Sequence, residues 1–183
     1  MITLITHNRH KAREFSAFLE PDIKVEVMDF EYPELRSDDP CEIVRAAAKT
    51  LAEMLKKPVV VEDSGLFIDA LNEFPGTCTA YIHMRIGNDG FAKLMKGVKN
   101  RKCSYRSAIG FCMPGKEPVS FLGEEHGRVA DRPDGQMGWG QDPIFIPKGK
   151  RKTYGKTRSE GSVNIFRKKS LSLLKKHLMK LKL

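Results

Sequence analysis

The sequence predicts an α/β fold with a central mixed β-sheet, and three observations favour this class. Short apolar runs alternate with segments of helical periodicity in the first third of the chain, as in strands joined by crossover helices. The middle of the chain has the pattern of a hairpin, so that part of the sheet should be antiparallel. A chain of 183 residues, 40% of them hydrophobic, is long enough to bury a core as one domain, residues 1–183, or as two tightly joined lobes.

The first third of the chain predicts three strands and two helices. In chain order we expect a strand at 2–6, a helix at 9–20 with Asn8 as its N-cap, a strand at 25–30, a helix at 41–56 that ends before Pro58, and an interior strand at 58–61. Glu62 and Asp63 should close the last of these strands, and Ser64-Gly65 should turn the chain away from the sheet.

The rest of the chain predicts more β structure and two further helices. We expect a strand at 67–71, a helix at 89–98, a hairpin of 102–113 with 118–121 closed by Pro114-Gly115-Lys116, a strand at 124–130, and a terminal helix at 159–180. Leu171, Leu174 and Leu178 should form the inner face of the terminal helix.

The net charge of +9 is unevenly distributed. Residues 148–183 hold 13 of the 32 Lys and Arg but one of the 23 acidic residues, so the first 147 residues carry 19 cations and 22 anions, a net −3. Three interpretations stay open: a solvated helix face, a surface for a phosphate-rich small substrate, or a nucleic-acid-binding tail.

The cysteines and the amino terminus indicate a cytoplasmic protein. Cys41, Cys78, Cys103 and Cys112 have no metal-ligand spacing, which favours buried thiols in a reducing compartment. Any metal should therefore be held by oxygen. The amino terminus does not resemble a signal peptide, and no apolar run approaches the roughly 18 residues of a spanning helix, so we expect no membrane partner.

Thr6, Asn8 and Lys11 lie where the first strand turns into the first helix. A hydroxyl, an amide and an amine there join the free N–H groups of a helix N-terminus, which favours an anion such as phosphate. The alternative is that Asn8 is a cap and Lys11 a surface charge.

Carboxylates supply a candidate metal site. Asp63, with Glu62, is expected at the carboxyl end of an apolar strand, where α/β sheets place ligands and where oxygen ligands suit Mg²⁺. Glu34 lies in a loop after a strand and offers a second carboxylate. Lys49 lies on a mostly apolar helix and either reaches inward or is a surface lysine.

The segment Gly138–Phe145 has the composition of a nucleobase pocket. The chain's single tryptophan, Trp139, stands between two glycines and three residues before Asp142. A flat aromatic face and a carboxylate acceptor are thus offered on one loop whose backbone can approach a ligand closely.

These segments together resemble the Ham1-like family of nucleoside triphosphate pyrophosphatases, which act on inosine and xanthosine triphosphates. The resemblance runs nearly end to end. Its motifs, in the family's order, are Thr6-x-Asn8-x-x-Lys11, Tyr32-Pro33-Glu34-Leu35, the Ala48-Lys49 helix, Val61-Glu62-Asp63-Ser64-Gly65-Leu66, Phe74-Pro75-Gly76 and Gly138-Trp139-Gly140-x-Asp142-Pro143-Ile144-Phe145. No Walker-type phosphate loop occurs in the sequence, which argues against a P-loop NTPase.

The resemblance implies a fold, a reaction and a role for each matching residue. The fold would be an elongated mixed sheet split into two lobes with the active site in the cleft, homodimers would be usual, and the products would be nucleoside monophosphate and pyrophosphate. The implied roles are triphosphate binding by Asn8, Lys11 and Lys49, further substrate contacts from Thr6 and Ser64, Mg²⁺ binding by Glu34 and Asp63, orientation of the attacking water by Asp63, stacking on the purine by Trp139, and reading of the base or fixing of its loop by Asp142.

The sequence departs from the family where the base is read. The family has a lysine and then Ser-His-Arg near the C-terminus; here Gly161, Ile165 and Phe166 replace the first three, and Arg167 alone is retained as a donor to the base. Gln141 stands where an aromatic is common.

We therefore expect Mg²⁺-dependent hydrolysis of ITP, dITP and XTP. The alternatives are a pyrophosphatase of broad or different base preference and a catalytically weak relative that binds nucleotides or nucleic acid. The retained Glu34, Asp63, Lys11 and Lys49 argue against the weak relative.

Overall fold

The computed structural model describes residues 1–159 and 163–182. The strands within them are β1 Ile2–Ile5, β2 Val25–Met28, β3 Val59–Ile68, β4 Pro75–Gly76, β5 Lys102–Cys112, β6 Val119–Val129 and β7 Phe145–Pro147. The helices are α1 Arg9–Leu19, α2 Pro40–Leu55, α3 Thr79–Leu94, α4 Tyr154–Thr157 and α5 Ile165–Lys180, and a 3₁₀ turn covers Asp69–Leu71.

The strands form one mixed sheet, which confirms the predicted fold class. Its order is β2-β1-β3-β5-β6-β7, and β4 pairs with β3 beside this path. Strand β1 is parallel to both β2 and β3, whereas the β3–β4 and β6–β7 pairs are antiparallel. The parallel part lies where strands and helices alternate in the sequence, because parallel neighbours require a crossover connection.

The chain divides into two compact units. Unit 1 is built from Met1–Asp63, Ser107–Gly123 and the segment that begins at Val163; unit 2 is built from Ser64–Arg106 and the segment that begins at Glu124. The expectation of one domain over residues 1–183 stays a prediction.

Unit 1 buries apolar side chains on both faces of its part of the sheet. Val60 of β3 packs on one face with residues of α1 and α5, among them Phe15 and Leu174. Val59 and Val61, which point to the opposite face, pack against the small residues of α2, such as Ala48. Leu171, Leu174 and Leu178 are buried, so the predicted inner face of the terminal helix is confirmed.

Unit 2 has a core rich in aromatic rings. The ring of Phe145 lies 4.6 Å from that of Tyr105 and 5.6 Å from that of Tyr154, centroid to centroid. Tyr105 and Phe145 are buried, and Tyr154 belongs to the short helix α4. These contacts attach α4 to β7 and β7 to β5.

The prediction that Ser64-Gly65 turns the chain away was wrong, because β3 continues to Ile68. At Gly65 the backbones of β3 and β4 approach closely. A Cβ atom on Gly65 would lie 2.1 Å from the carbonyl oxygen of Gly76, on strand β4. Glu62 and Asp63 therefore lie within a long strand. This strand pairs with β1 before the two residues and with β4 after them.

Two helix predictions also need correction. Helix α3 begins at Thr79, ten residues before the predicted helix at 89–98, and Gly87 interrupts it with φ +62° and ψ −173°. Most of its first half is exposed, including Met84 at 72%, so that half lacks the apolar period that reveals a helix. Helix α5 begins at Ile165, and part of the predicted start at 159–164 lies outside the described residues.

The four cysteines are free thiols, of which Cys103 and Cys112 are buried and Cys41 and Cys78 half-buried. No helix among residues 1–159 and 163–182 is long and apolar enough to cross a membrane.

Candidate active site

A buried ion-pair network in unit 1 surrounds Glu62 of β3. Its Oε1 accepts hydrogen bonds from Ser107 Oγ at 2.7 Å and Arg167 Nε at 3.1 Å, and its Oε2 lies 2.7 Å from Lys11 Nζ. Arg167 also pairs through Nη1 with Glu14 of α1. The network therefore connects β3 with β5, α1 and α5.

Glu62 is held ionised by these partners. Burial of its carboxylate acts to raise the pKa, but the charges of Arg167 and Lys11, together with hydrogen bonds from Lys11 and Ser107, lower the pKa to about 2. An unpaired carboxylate buried at 1% exposure would instead be neutral. The paired charges make Glu62 a fixed anion.

Lys11 is held against strand β3 at the residue before the predicted catalytic Asp63. Its Nζ donates to the backbone carbonyl of Glu62 at 3.0 Å, and the residue after that carbonyl is Asp63. A lysine ammonium has three donors; the Glu62 carbonyl accepts one of them, and the Glu62 carboxylate lies 2.7 Å away as its ion-pair partner. At least one donor remains for a ligand oxygen.

The turn before α1 differs in one respect from the expected phosphate site. Asn8 Oδ1 accepts from the N–H groups of His10 at 2.9 Å and Lys11 at 3.2 Å, so these groups serve the predicted N-cap. The expectation that they are free for a ligand was wrong, because a capping side chain saturates them. Thr6 Oγ1 in turn accepts from the N–H of Asn8 at 3.1 Å.

Asp63 and Glu34 both act on one phenol of unit 1. Burial raises the pKa of Tyr32 above its ordinary value, and the negative charges of Glu34 and Asp63 raise it further. Tyr32 also donates a 3.3 Å hydrogen bond to Glu34 Oε1. Glu34 is thus in contact with Tyr32, and the charge of Asp63 acts on the same phenol.

A pair of carboxylates fits Mg²⁺ without a larger cluster. No group of three or more His, Cys, Asp or Glu side chains that could hold a metal occurs in the part of the chain that the structure describes. Mg²⁺ commonly binds through one or two carboxylates and completes its shell with water and substrate phosphates. Glu34 and Asp63 supply hard oxygen donors of this kind.

Lys49 occupies the surface of α2. Its side chain is 52% exposed and its Nζ lies 3.0 Å from Oε1 of Glu117, which is 86% exposed. Exposed ion pairs contribute about 0–1 kcal/mol, so a multiply charged ligand can draw the ammonium away from Glu117. The predicted triphosphate role of Lys49 stays a prediction.

In unit 2, the loop that carries Trp139 is fixed by Asp142. Asp142 is buried, accepts the backbone N–H of Trp139 through Oδ2 at 2.9 Å, and forms an ion pair with Arg158. Gly138 has φ +77°, and a Cβ atom there would lie 2.0 Å from Asp142 Oδ2. This geometry favours the second of the two predicted roles of Asp142, fixing the loop rather than reading the base.

Trp139 itself is half-buried, and its loop has a further anchor. Asn88 Nδ2 of α3 donates to the carbonyl of Gly140 at 3.0 Å. Gly140 has φ +62°, a conformation that suits glycine. The tryptophan therefore stands on a loop held on both sides of it.

Comparison with known proteins identifies the family of this chain. The model of the Ham1 family matches residues 2–177. The chain belongs to the Ham1 family.

Relatives and a solved structure agree with this membership. A dITP/XTP pyrophosphatase of Methanopyrus kandleri is 47% identical over 156 residues, which are 85% of this chain and 82% of the relative. One of Korarchaeum cryptofilum is 41% identical over 173 residues, 94% and 93% of the two chains. The structure of the Staphylococcus aureus Ham1 protein superposes with a TM-score of 0.86 at 26% identity and covers 99% of this chain and 100% of that one. The predicted family is confirmed.

Within the Ham1 framework, the C-terminal residues of this chain lie deeper than expected. Arg167 is 0% exposed and paired with Glu14 and Glu62, and Phe166 is buried in unit 1. A base cannot reach Arg167 unless this network opens, so its predicted role as a donor to the base stays a prediction that the packing argues against. Gly161, another predicted difference from the family, lies outside the described residues.

Sequence reasoning missed several residues that build the site. Glu62 was expected beside Asp63 at the metal site, and its ion pairs were missed, although the burial of its neighbours in an apolar strand signals that it needs a cationic partner. Glu14 and Arg158 gave no local signal, because their partners Arg167 and Asp142 lie 153 and 16 residues away along the chain. Ser64 lies in β3, at the start of unit 2.

We predict that Glu62→Gln lowers the free energy of unfolding at pH 7 by about 3 kcal/mol, because Lys11 and Arg167 lose a buried counter-charge. The folded-state pKa is below the ordinary 4.5, so the contribution of the Glu62 carboxylate is complete above about pH 4.5 and is lost as the pH falls toward about 2. Chemical denaturation across this range should therefore show a shallower acid destabilisation in the variant.

Glu26→Gln provides the control, since the Glu26 carboxylate pairs with Lys57 at the surface. It should change stability much less at pH 7. Parallel acid profiles for wild type and Glu62→Gln would contradict the ionised state assigned to Glu62.

Proposed function

We propose that the chain is a Mg²⁺-dependent nucleoside triphosphate pyrophosphatase that converts non-canonical purine nucleotides, ITP, dITP and XTP, to nucleoside monophosphate and pyrophosphate. The observation that carries the proposal is the ammonium of Lys11 fixed against strand β3, at 3.0 Å from the backbone carbonyl of Glu62, the residue before Asp63. The names of the dITP/XTP pyrophosphatases that the chain resembles support the same reaction.

The phosphate end of the substrate is assigned to Lys11 and its neighbours. Lys11 donates an N–H to a phosphate oxygen, Asn8 offers its side-chain amide, Thr6 supports Asn8, and Lys49 adds a second positive charge. Opposite charges placed where pyrophosphate charge develops stabilise the transition state more than the ground state.

Glu34 and Asp63 are assigned to the metal. When bound there, Mg²⁺ would neutralise phosphate charge and act as a Lewis acid on the phosphoryl oxygens. Asp63 also accepts a hydrogen bond from the attacking water and orients its oxygen toward the α-phosphorus. The new bond joins that oxygen to the α-phosphorus, the α–β anhydride bond breaks, and pyrophosphate leaves.

The base is assigned to Trp139, which stacks on the purine, while Asp142 fixes the loop and Ser64 is a further substrate contact. Aromatic side chains stack on any base, so Trp139 supplies affinity rather than selectivity. We expect ITP and XTP to be the best substrates, GTP to be measurable, and ATP and pyrimidine triphosphates to be poor.

A second candidate is a pyrophosphatase of broad base preference, and the burial of Arg167 favours it. The one retained donor of the family's base-reading set is engaged with Glu14 and Glu62. We further propose that the enzyme acts on free nucleotides in the cytoplasm as a homodimer, which light scattering of the purified chain would test.

The substrate panel is the central experiment. Pyrophosphate release from ITP, dITP, XTP, GTP, ATP, UTP and dTTP, each with Mg²⁺, should rank 6-oxo purines first, because adenine presents a donor where the 6-oxo purines present an acceptor. Equal kcat/KM for ITP and ATP would reject this preference and select the broad-specificity candidate. Release of pyrophosphate from none of them would reject the proposed reaction.

Asp63→Asn should lower kcat by about 10²-fold or more, since the variant loses both a metal ligand and the carboxylate that orients water. Circular dichroism would verify that the variant is folded. Asp22→Asn serves as the control, because the Asp22 side chain is 56% exposed and pairs with Lys175. A folded Asp63→Asn enzyme that retained more than about a tenth of wild-type kcat would remove Asp63 from its catalytic role.

Lys11→Ala and Lys49→Ala should each raise KM and lower kcat/KM for triphosphates by about 10-fold or more, the effect of losing one charge-assisted hydrogen bond. Diphosphates should be affected less. Lys11→Ala should also lower the melting temperature because Glu62 loses a partner, whereas Lys49→Ala should not.

Lys57→Ala is the matched control for these lysine variants, as Lys57 pairs with Glu26 at the surface of the same unit. If kcat and KM of Lys11→Ala and Lys49→Ala equal those of Lys57→Ala, neither lysine binds the triphosphate. Both would then be structural or surface charges.

A further inference from the structure

An open cavity of about 460 Å³ lies in unit 2 beside β6 and β7, and five of its ten lining residues are exposed Lys, Arg or His. Its charged and titratable residues, apart from a buried thiol, are Lys102, His126, Arg128, Lys148, Lys150 and Asp69. None of these residues is among those assigned above to the triphosphate, the metal or the base.

The backbone brings the basic residues of this cavity together. His126 and Arg128 are two positions apart on β6 and so point to the same face of the sheet. Lys148 directly follows strand β7, and its N–H donates to the carbonyl of His126 at 2.9 Å. Lys102 is the first residue of β5 and lies beside the end of β6. The N–H of Val129, the last residue of β6, donates to the carbonyl of Arg101 at 2.8 Å.

A tight turn holds the last of these cations. The N–H of Lys150 donates to the carbonyl of Pro147 at 2.9 Å, and Gly149 has φ +78° at the third position of the turn. Glycine is favoured at that position because a turn with positive φ there admits few other residues. Lys148 and Lys150 are thus presented by a defined turn.

The cavity carries an excess of positive charge. Among residues 1–159 and 163–182, Lys102, Arg128, Lys148 and Lys150 form no ion pair, whereas Asp69 is the one carboxylate in the lining. Four cations and one anion leave a surplus of three positive charges before His126 is counted; His126 lies 3.4 Å from Glu124. Like charges gathered in a concave site favour a multiply charged anion.

The lining also restricts the chemistry of the ligand. The volume lies within the range of about 300–1,000 Å³ typical of small-molecule sites. No Phe, Tyr or Trp side chain lines the cavity, so the exposed imidazole of His126 is the one aromatic ring in its lining on which a nucleobase could stack. Burial, with the charge of Asp69, raises the pKa of the Cys103 thiol in the lining to about 12, and a thiol in that state is a poor nucleophile and metal ligand.

We propose that this cavity is an additional anion site that binds a free oligophosphate such as pyrophosphate or tripolyphosphate. Lys102, Arg128, Lys148 and Lys150 hold the phosphate oxygens, and Asp69 confines the anion to their side of the cavity. The site takes the phosphate chain alone and requires neither base recognition nor hydrolysis.

Titration of the full chain with tripolyphosphate, without divalent ions, tests the site. Amide resonances of Gly127 and Gly149 should shift in two-dimensional nitrogen-proton NMR spectra, because both glycines line the cavity. Arg128→Gln/Lys148→Gln should abolish these shifts or weaken the Kd that they report at least tenfold, the expected effect of about two lost charge-assisted contacts.

Lys168→Gln/Lys176→Gln is the matched control, because it removes two exposed lysines of α5 and so changes the net charge equally. It should leave the Gly127 and Gly149 shifts and their Kd unchanged. Arg128→Lys, which keeps the charge, should bind nearly as wild type does.

Two results would overturn the site. Tripolyphosphate that leaves Gly127 and Gly149 unshifted, or that binds wild type and Arg128→Gln/Lys148→Gln equally, shows that the cavity holds no oligophosphate. A third outcome is that tripolyphosphate does not bind, whereas a short single-stranded RNA binds wild type and binds this double variant more weakly. That outcome would assign the cations to phosphodiesters instead. The NMR readout involves no turnover, so a failure of the proposed pyrophosphatase activity leaves this test intact.

Discussion

The buried carboxylate of Glu62 is the constraint on which unit 1 depends. A charge at that depth is tolerated only with close counter-charges, and these come from Lys11 of α1 and Arg167 of α5. Because Arg167 also pairs with Glu14, the network fixes both helices against β3. The same carboxylate determines where the Lys11 ammonium lies, so stability and phosphate binding share one set of atoms. A substitution that relaxes the network should therefore affect both properties together.

Unit 2 uses the same physical device on a smaller scale. Asp142 is buried, paired with Arg158, and bonded to the backbone N–H of Trp139. In each unit a buried carboxylate with an arginine partner thus orders the residue proposed to meet the substrate: Lys11 in one, Trp139 in the other. A rigid support of this kind lowers the conformational entropy that a ligand would otherwise have to remove on binding.

The sequence was informative where its signals are local. The strand at 2–6, the Asn8 cap, the α2 boundaries and the hairpin of β5 and β6 all follow from periodicity and turn residues, and the structure has them within a few residues. The extension of β3 through Ser64-Gly65 was not visible, because glycine there serves a close approach to Gly76 and not a turn. The pairing of Glu14 with Arg167 was equally hidden, since ion pairs between distant segments leave no periodic trace.

The depth of Arg167 bears on how selective the enzyme can be. A site that hydrogen-bonds a substrate group can reject analogues lacking it by about 10⁴-fold, whereas an apolar wall discriminates by about 1–3 kcal/mol. With its Nε and Nη1 engaged by Glu62 and Glu14, Arg167 would have to abandon a buried counter-charge to donate to O6 of a purine. That exchange costs several kcal/mol for each ion left unpaired, more than one hydrogen bond to a base returns. Strong preference for 6-oxo purines must then come from donors other than Arg167. In the Trp139 loop the N–H of Trp139 itself is bonded to Asp142, so the backbone N–H groups of the flanking Gly138 and Gly140 are the donors there that would suit O6.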